Sequence, residues 1–361
     1  MTPLGRRALN RATLERQLLL RRTDRSASEV VAHLVGLQGQ DPDPPYLGLW
    51  NRITGFTVED LARLLYGRRV VRATLFRGTQ HLLVADDYLW IRPLLQPVQE
   101  RVWRGHFQRA LAGIDPVDLA AAARELLDGR VVPRPELGRA LAERWPGRDP
   151  VALARSVQHL LPILHPPPDG LWRRHGPTPF TLAEQWLGRP LADRPAPGDL
   201  VLRYLAAFGP ATVADVQAWS GLTRLREVVE ELRPRLRVFR GEDGRELFDL
   251  PDAPLPDPDT AAPARFLALL DNVVLAHADR SRLMADEQRA HVGWEPVLLV
   301  DGFVRGLWHL RRGRGEAVLT VRLFAPLSAA QQAEVAEEAA ALLRFAAEGD
   351  RHDLRFRPVQ E

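Results

Sequence analysis

Apolar positions between residues 199 and 250 follow a helical period three times and then a strand period. The second helical stretch begins at Thr212, which has capping-box spacing, and the third covers 225–232. Two short β-runs, 236–239 and 246–248, then flank a glycine-containing turn. Three helices followed by a hairpin is the order of a winged helix, so we predict one here.

The same order recurs twice upstream. Between 116 and 165, three predicted helices precede the apolar run 161–164 and a turn at Asp169. Near the N-terminus, predicted helices precede β-like residues 70–71 and 82–84. Those helices cover 11–20, 26–37, 44–54 and 57–67. We therefore predict tandem winged-helix motifs, although the period is too irregular for a sequence repeat.

The last hundred residues have a different pattern. A Pro- and Asp-rich linker is followed by strand-like runs, and an amphipathic helix from Ser328 to about Ala347 closes the chain. The predicted fold class is α+β, mainly α with β hairpins and with a C-terminal β-rich domain. The predicted units are 1–110, 111–197 and 198–250 for three winged-helix units, 251–263 for the linker, and 264–361 for the β-rich domain.

Composition excludes several classes of chemistry. The chain has 361 residues without cysteine, which excludes disulfides, thiol catalysis and Cys-ligated zinc. All 49 basic residues are arginine, so a Walker A lysine and a side-chain lysine Schiff base are excluded as well. No apolar run approaches membrane-spanning length, and we expect a cytoplasmic protein with no membrane partner. No metal-spaced histidine cluster appears, and we expect no metal and no cofactor.

Charge is concentrated rather than evenly spread. The net charge is only +3, yet residues 1–25 and 301–325 are strongly basic while 326–350 is acidic. Basic surfaces of this kind suit phosphate binding. Together with winged helices, they favour double-stranded DNA as the partner, although winged helices also serve in protein contacts.

The most distinctive segment is Gln38-Gly39-Gln40-Asp41-Pro42, placed after the helix predicted from Ser26. Two carboxamides around a glycine can project into a common cleft, and glycine lets a substrate approach the backbone. By spacing alone, the alternative of polar residues at a helix C-terminus is strongly favoured for this segment.

With its continuation Tyr46-Leu47-Gly48-Leu49-Trp50, this segment resembles the Gln-x-Gln signature of the AlkZ-like winged-helix DNA glycosylases, which are related to the YcaQ group. Two further segments carry the resemblance, namely 77–82 (RGTQHL) and 272–282 (NVVLAHADRSR). It covers nearly the whole chain. Gly39 is a departure, because the family's middle residue is usually hydrophobic.

The resemblance implies tandem winged helices in a C-shaped arrangement around duplex DNA. It implies excision of alkylated purines, including bulky adducts and interstrand crosslinks made by azinomycin-type natural products. It also carries the hydrolytic role to Gln38 and Gln40. Asp41 or Asp43 is a candidate supporting base, the alternative being an aspartate that stabilises a turn before proline.

The residues agree with this chemistry. An N7-alkylated guanine is already a cation and leaves without protonation, so a glutamine carbonyl that holds a water and faces positive charge is sufficient. Without lysine, we expect a monofunctional enzyme that stops at the abasic site.

Further candidates concern DNA contacts. A basic hairpin around Gly313 is predicted to enter a groove, the alternative being a solvated turn. An alternative stays open for these candidates. His81 is then a buried, hydrogen-bonded histidine, and the arginines near Asp279 pair with the acidic final helix. The predicted DNA-binding residues are Arg77, His81, Arg224, Arg226, Arg280, Arg282, Arg311, Arg312 and Arg314.

Two alternative functions stay open. One is a non-catalytic winged-helix regulator, and the other is a general alkylpurine glycosylase without crosslink activity. We expect a monomer associated with the nucleoid, acting in repair or in self-resistance to an alkylating natural product.

Overall fold

The computed structural model describes residues 3–293 and 295–359. In the first 110 residues, two antiparallel strands follow four helices, and two further helices come after them. The elements are α1 (Arg6–Arg16), α2 (Ala27–His33), β1 (Leu37–Gln38), α3 (Pro44–Trp50), α4 (Val58–Tyr66), β2 (Val70–Thr74), β3 (Gln80–Val84), α5 (Ala85–Leu94) and α6 (Gln96–His106).

One prediction about this region is wrong. The helix that begins after the Ser26 capping box was expected to continue to residue 37, but α2 ends at His33. Val35 and Gly36 both have a left-handed backbone, with φ of 54° and 93°, which ends the helix. Gln38 therefore lies in the short strand β1 rather than at a helix terminus.

The second unit has the predicted helices, followed by two strands joined by a long loop. Its elements are α7 (Pro116–Leu127), β4 (Val132–Pro133), α8 (Arg134–Arg144), α9 (Pro150–Leu160), β5 (Ile163–Leu164), β6 (Pro179–Leu182) and α10 (Ala183–Leu187). Strands of the first and second units form one six-stranded sheet in the order β1-β3-β2-β5-β6-β4.

The third winged-helix order is confirmed. Thr212 accepts a hydrogen bond from the Asp215 amide and makes the predicted capping box. The two strands pair as an antiparallel hairpin. The elements are α11 (Pro197–Phe208), α12 (Val213–Ser220), α13 (Leu225–Leu232), β7 (Arg237–Arg240) and β8 (Glu246–Asp249).

The C-terminal part is a five-stranded sheet in the order β13-β12-β11-β10-β9. Sequence analysis missed its last strand, which pairs in parallel with β12 after a helical crossover. The pattern RHDLRFRP is too polar to stand out as a strand. The elements are β9 (Arg265–Phe266), α14 (Asn272–Leu275), β10 (Val297–Val300), β11 (Phe303–Gly313), β12 (Glu316–Leu323), α15 (Ala329–Ala346) and β13 (Arg351–Pro358).

The hydrophobic cores join units that are distant in the chain. One core packs α2, α3 and α4 of the first unit against the C-terminal sheet and α15. A second core packs β2 and β3 against the third unit, whereas a third core lies mostly within the second unit. The α+β class is confirmed, while the unit boundaries stay predictions.

The part of the chain at 3–293 and 295–359 contains no helix with the length and apolar character needed to span a bilayer.

Candidate active site

Gln38 and Gln40 meet at the edge of the six-stranded sheet. Gln38 pairs with His81 in β3, and the Gly39 amide donates to the Gln80 carbonyl at 2.8 Å. Gln38 is buried with 6% of its surface exposed, whereas Gln40 is exposed. The Gln38 carboxamide is therefore enclosed by the protein, whereas the Gln40 carboxamide faces solvent.

Backbone amides set the orientation of both carboxamides. Oε1 of Gln38 accepts a hydrogen bond from the Gln40 amide at 3.1 Å, and Oε1 of Gln40 accepts one from the Gln80 amide at 3.3 Å. An amide oxygen has two acceptor positions. Each carbonyl oxygen therefore keeps one position for a water molecule or for a developing positive charge.

Arg72 in β2 holds the backbone of the motif. Its Nε donates to the Gly39 carbonyl at 2.9 Å and its Nη2 to the Gln40 carbonyl at 3.1 Å. The same guanidinium is buried and forms an ion pair with Asp169 of the β5–β6 loop. Gly170, with φ of 79°, allows this loop to approach the Arg72 side chain closely. Arg72, held by an ion pair with a residue of the second unit, thus fixes two consecutive peptide carbonyls of the motif.

Asn272 at the start of α14 holds the motif from the other side. Its Nδ2 donates to the Gly36 carbonyl at 2.6 Å, and its Oδ1 accepts from the Gln38 amide at 3.4 Å. The space beside Gly39 is also occupied, since a Cβ at that position would lie 2.6 Å from Cδ1 of Leu82. A larger residue at position 39 would therefore require the Leu82 side chain to move.

Asp41 and Asp43 follow the motif on a bend. The Asp43 amide donates to Asp41 Oδ1 at 3.1 Å, which is the turn geometry expected of an aspartate before proline. Asp43 Oδ1 accepts from the Arg173 amide at 2.6 Å. Burial, assisted by the Asp41 charge, raises the pKa of Asp43 to about 6. A carboxylate with a pKa near neutrality suits a proton acceptor.

His81 is an interior residue. Its Nδ1–H donates to the Thr79 carbonyl at 3.0 Å, and its ring packs edge-on against Phe76. Burial, with the nearby Arg77 charge, lowers the pKa of His81 to about 3. A neutral, buried imidazole is poorly placed for a phosphate, so its position agrees with the structural alternative.

Arg77 and Arg280 lie near each other. The Arg77 guanidinium donates to the Trp219 carbonyl of α12, and burial, with the Arg280 charge, lowers its pKa to about 10. Arg280 is half-buried and forms no ion pair within 3–293 and 295–359. Two close guanidiniums without an acidic partner form an arrangement that an anion would stabilise.

Arg282 has a different environment. It is 5% exposed, and its Nη1 donates to Thr13 Oγ1 and to the Pro210 carbonyl, each at 3.1 Å. Burial lowers its pKa, although the Asp215 carboxylate opposes this. The interior placement disagrees with the prediction that this guanidinium contacts DNA, because its donors already bind acceptors of the folded chain.

The other predicted DNA contacts lie at the surface. Arg224 and Arg226 are exposed at the start of α13. Arg311 and Arg314 are exposed at the tip of the β11–β12 hairpin, whereas Arg312 donates to Asp350 at 2.5 Å. The predicted basic hairpin therefore exists, and its tip lies at the end of a two-stranded ribbon.

Sequence analysis missed three residues that hold the motif: Arg72, Asp169 and Asn272. Asn272 begins one of the segments that carry the family resemblance, so that segment contained a usable signal. Arg72 lies in an otherwise apolar strand and Asp169 lies in a loop 97 residues away. No local pattern connects these two residues.

The chain is similar to known proteins over most of its length. The family model described as DNA glycosylase AlkZ-like matches residues 31–345. The chain is 27% identical over 344 residues to the interstrand DNA cross-link repair glycosylase of Streptomyces sahachiroi, covering 82% of this chain and 85% of that protein. The solved structure of Streptomyces sahachiroi DNA glycosylase AlkZ matches with a TM-score of 0.74 at 23% identity, covering 98% of this chain and 100% of that one. The chain therefore belongs to the AlkZ-like family of DNA glycosylases and is an enzyme that acts on DNA.

Proposed function

We propose that this glycosylase hydrolyses the N-glycosidic bond of N7-alkylguanine-type purines in duplex DNA, with Gln38 and Gln40 as the catalytic residues. The observation that carries the proposal is the fixed orientation of the two carboxamide oxygens, one at the end of β1 and the other two residues further along the chain. Their remaining acceptor positions suit a water molecule beside a sugar that is becoming cationic.

The positive charge of the alkylated base provides for the electron pair of the bond that breaks. The C1′–N9 bond breaks, and its electron pair neutralises the cationic imidazole ring of the alkylated base. The oxygen of water then bonds to C1′ and loses a proton. The proposed acceptor of that proton is Asp41, which follows Gln40 in the chain, or Asp43, whose pKa burial raises to about 6. Unmodified purines lack the positive charge, so two neutral amides give little acceleration with them.

The buried contacts behind the motif support this role. Arg72 and Asn272 together bind the carbonyls of Gly36, Gly39 and Gln40. Catalytic hydrogen bonds are effective when their geometry is fixed before the reaction.

A duplex with one N7-methylguanine tests the proposal. We expect wild-type protein to produce abasic sites, seen as strand breaks after alkali. Gln40→Ala and Gln38→Ala should each lower the single-turnover rate by roughly a hundredfold, as expected for loss of one charge-stabilising group. The matched control is Gln108→Ala, which removes an exposed carboxamide shortly after α6.

Two outcomes would contradict the assignment. One is the absence of abasic sites with wild-type protein, and the other is a Gln40→Ala rate equal to wild type when Asp41→Ala is inactive. Strand breaks before alkali, with covalent trapping by borohydride, would contradict a monofunctional mechanism.

We further propose that bulky adducts and interstrand crosslinks are substrates, and that the protein serves repair or self-resistance to a DNA-alkylating natural product. The name of the Streptomyces sahachiroi relative and the exposed arginines of the β11–β12 hairpin support this. Incubation with an azinomycin-crosslinked duplex tests it, since unhooking separates the strands on a denaturing gel.

A further inference from the structure

A pocket of 420 Å³ lies directly beside the catalytic motif. It begins at Asp41 and Asp43, crosses the start of α3, and ends on β11 at Trp308 to Arg312. β11 continues from there into the arginine-bearing hairpin tip. The pocket therefore lies between the two parts of the protein that are proposed to contact the lesion and the duplex.

Two tryptophan side chains form fixed apolar parts of the pocket wall. Trp172 packs against Tyr46 and Phe345, with ring centroids 5.4 Å and 5.7 Å away. Trp308 donates from Nε1 to the Leu267 carbonyl at 2.9 Å, which holds its ring in place. Preformed aromatic walls lower the entropy that is lost on binding a flat apolar group.

The charge of the pocket is negative on balance. Asp41 and Asp43 form no ion pair within residues 3–293 and 295–359, and each accepts a backbone amide. Arg312 is neutralised by Asp350, so the two carboxylates face one uncompensated guanidinium, that of Arg173. A cationic ligand complements such a pocket, whereas a neutral, unmodified base does not.

We propose that this pocket binds the alkyl substituent of the lesion when that substituent is a bulky aromatic group on a positively charged N7-alkylpurine. The inference rests on the proposed function. Pockets of 300 to about 1,000 Å³ hold ligands of drug size. A methyl group leaves a pocket of 420 Å³ almost empty, while an arylmethyl group fills much of it. The pocket thus selects lesions by the size of the alkyl substituent and by the positive charge of the alkylated base.

The test compares two lesions in one duplex sequence, N7-methylguanine and N7-benzylguanine. A 2′-fluoro sugar slows cleavage, so that dissociation constants are measured separately from excision. The pocket is filled from two opposite walls by Leu47→Trp on α3 and His309→Trp on β11. His309 is exposed, so its replacement by a strand-favouring residue keeps the fold. The matched control, Val117→Trp, fills a different groove of 530 Å³ that lies between α6 and the second unit.

We expect wild-type protein to bind the benzyl lesion more tightly than the methyl lesion at pH 8. Each filling variant should lower this ratio of affinities by about tenfold, a size typical of one lost apolar group. Asp43→Asn should weaken both cationic lesions about threefold and leave undamaged duplex unchanged, because one charge–charge contact is lost. The control variant should keep the wild-type ratio.

An unchanged ratio in both filling variants overturns the pocket assignment, and so does a wild-type ratio of one. Failure of wild-type protein to excise either lesion with a natural sugar contradicts the proposed function instead. In that case, the ratio of affinities for the benzyl and methyl lesions in 2′-fluoro duplexes still tests the pocket assignment. The two failures are therefore distinguishable.

Discussion

The β11–β12 hairpin and the segment 277–282 are both arginine-bearing and were both predicted to contact DNA, yet the structure gives them different environments. The hairpin extends from its sheet and leaves Arg311 and Arg314 exposed. In the other segment, Arg282 is buried against α1 and the 209–210 turn, while Arg280 stays half-buried without an ion pair in the described part of the chain. Arginine is the only basic side chain here, so it performs both structural and surface roles.

The difference has a simple physical origin. A guanidinium has five donors in a planar fork and can satisfy several carbonyls at once, which makes it suitable as a buried cross-link. The same fork at an exposed hairpin tip stays available for phosphates, because Arg311 and Arg314 form no side-chain hydrogen bond or ion pair within residues 3–293 and 295–359. Which role an arginine has depends on the acceptors that the fold brings to it.

Replacing Arg282 gives the largest effect in this comparison. Arg282→Ala leaves Thr13 Oγ1 and the Pro210 carbonyl without their buried donor and removes the positive charge near Asp215, so we expect a loss of about 3 kcal/mol in the free energy of unfolding. Urea denaturation measures it. The matched variant Arg280→Ala should change stability by less than about 0.5 kcal/mol and weaken duplex binding instead. Equal stability of the two variants would contradict the comparison.

The ion pair behind the motif should give the next largest effect. Asp169→Asn loosens Arg72, and with it the Gly39 and Gln40 carbonyls, so we expect the excision rate to fall about thirtyfold, or roughly 2 kcal/mol. Duplex affinity should stay within twofold of wild type. Single-turnover kinetics and a binding titration separate the two quantities.

The control for that experiment is Asp249→Asn. Asp249 pairs bidentately with Arg16 in an equally buried site away from the motif. Both variants should lose stability, but only Asp169→Asn should lose excision rate per folded molecule. A loss of excision rate of equal size in both variants would show that Arg72 has only a general structural role.

Charge reversal at the hairpin tip should give the smallest of the three effects. The double variant Arg311→Glu/Arg314→Glu should weaken duplex binding about tenfold and lower the salt slope by about two, because two phosphate contacts are lost. Stability should not change. Arg63→Glu/Arg124→Glu alters two exposed arginines by the same charge and serves as the control. An unchanged salt slope in the hairpin variant would show that the tip is only a solvated turn.

Local patterns were sufficient for much of the fold. Capping boxes form at Ser26, Thr212 and Ser328, where helices were predicted to begin, and the third winged-helix order is correct. Helix caps and hydrophobic periods act over a few residues, so the sequence carries them directly. The helix predicted to reach residue 37 failed at a non-glycine left-handed residue, Val35, which local propensity disfavours.

The candidate site also has a part that is local in sequence and a part that depends on distant residues. Gln38 and Gln40 are recognised from adjacent residues, because the motif is contiguous. The contacts that orient the motif come from Arg72, Asp169 and Asn272, on elements separated by up to 236 residues. Such contacts depend on how sheets and loops from different units meet, and no periodicity encodes that.

The sequence by itself thus determined the helical units, the position of the Gln-x-Gln motif and the exclusion of lysine and cysteine chemistry. The tertiary structure alone decided that Arg282 is interior and that Arg72 binds the motif backbone. It also decided that Asp41 and Asp43 line a pocket walled by Trp172 and Trp308. The reason is that burial and charge pairing are properties of surfaces brought together from distant segments, whereas capping and periodicity are properties of neighbours in the chain.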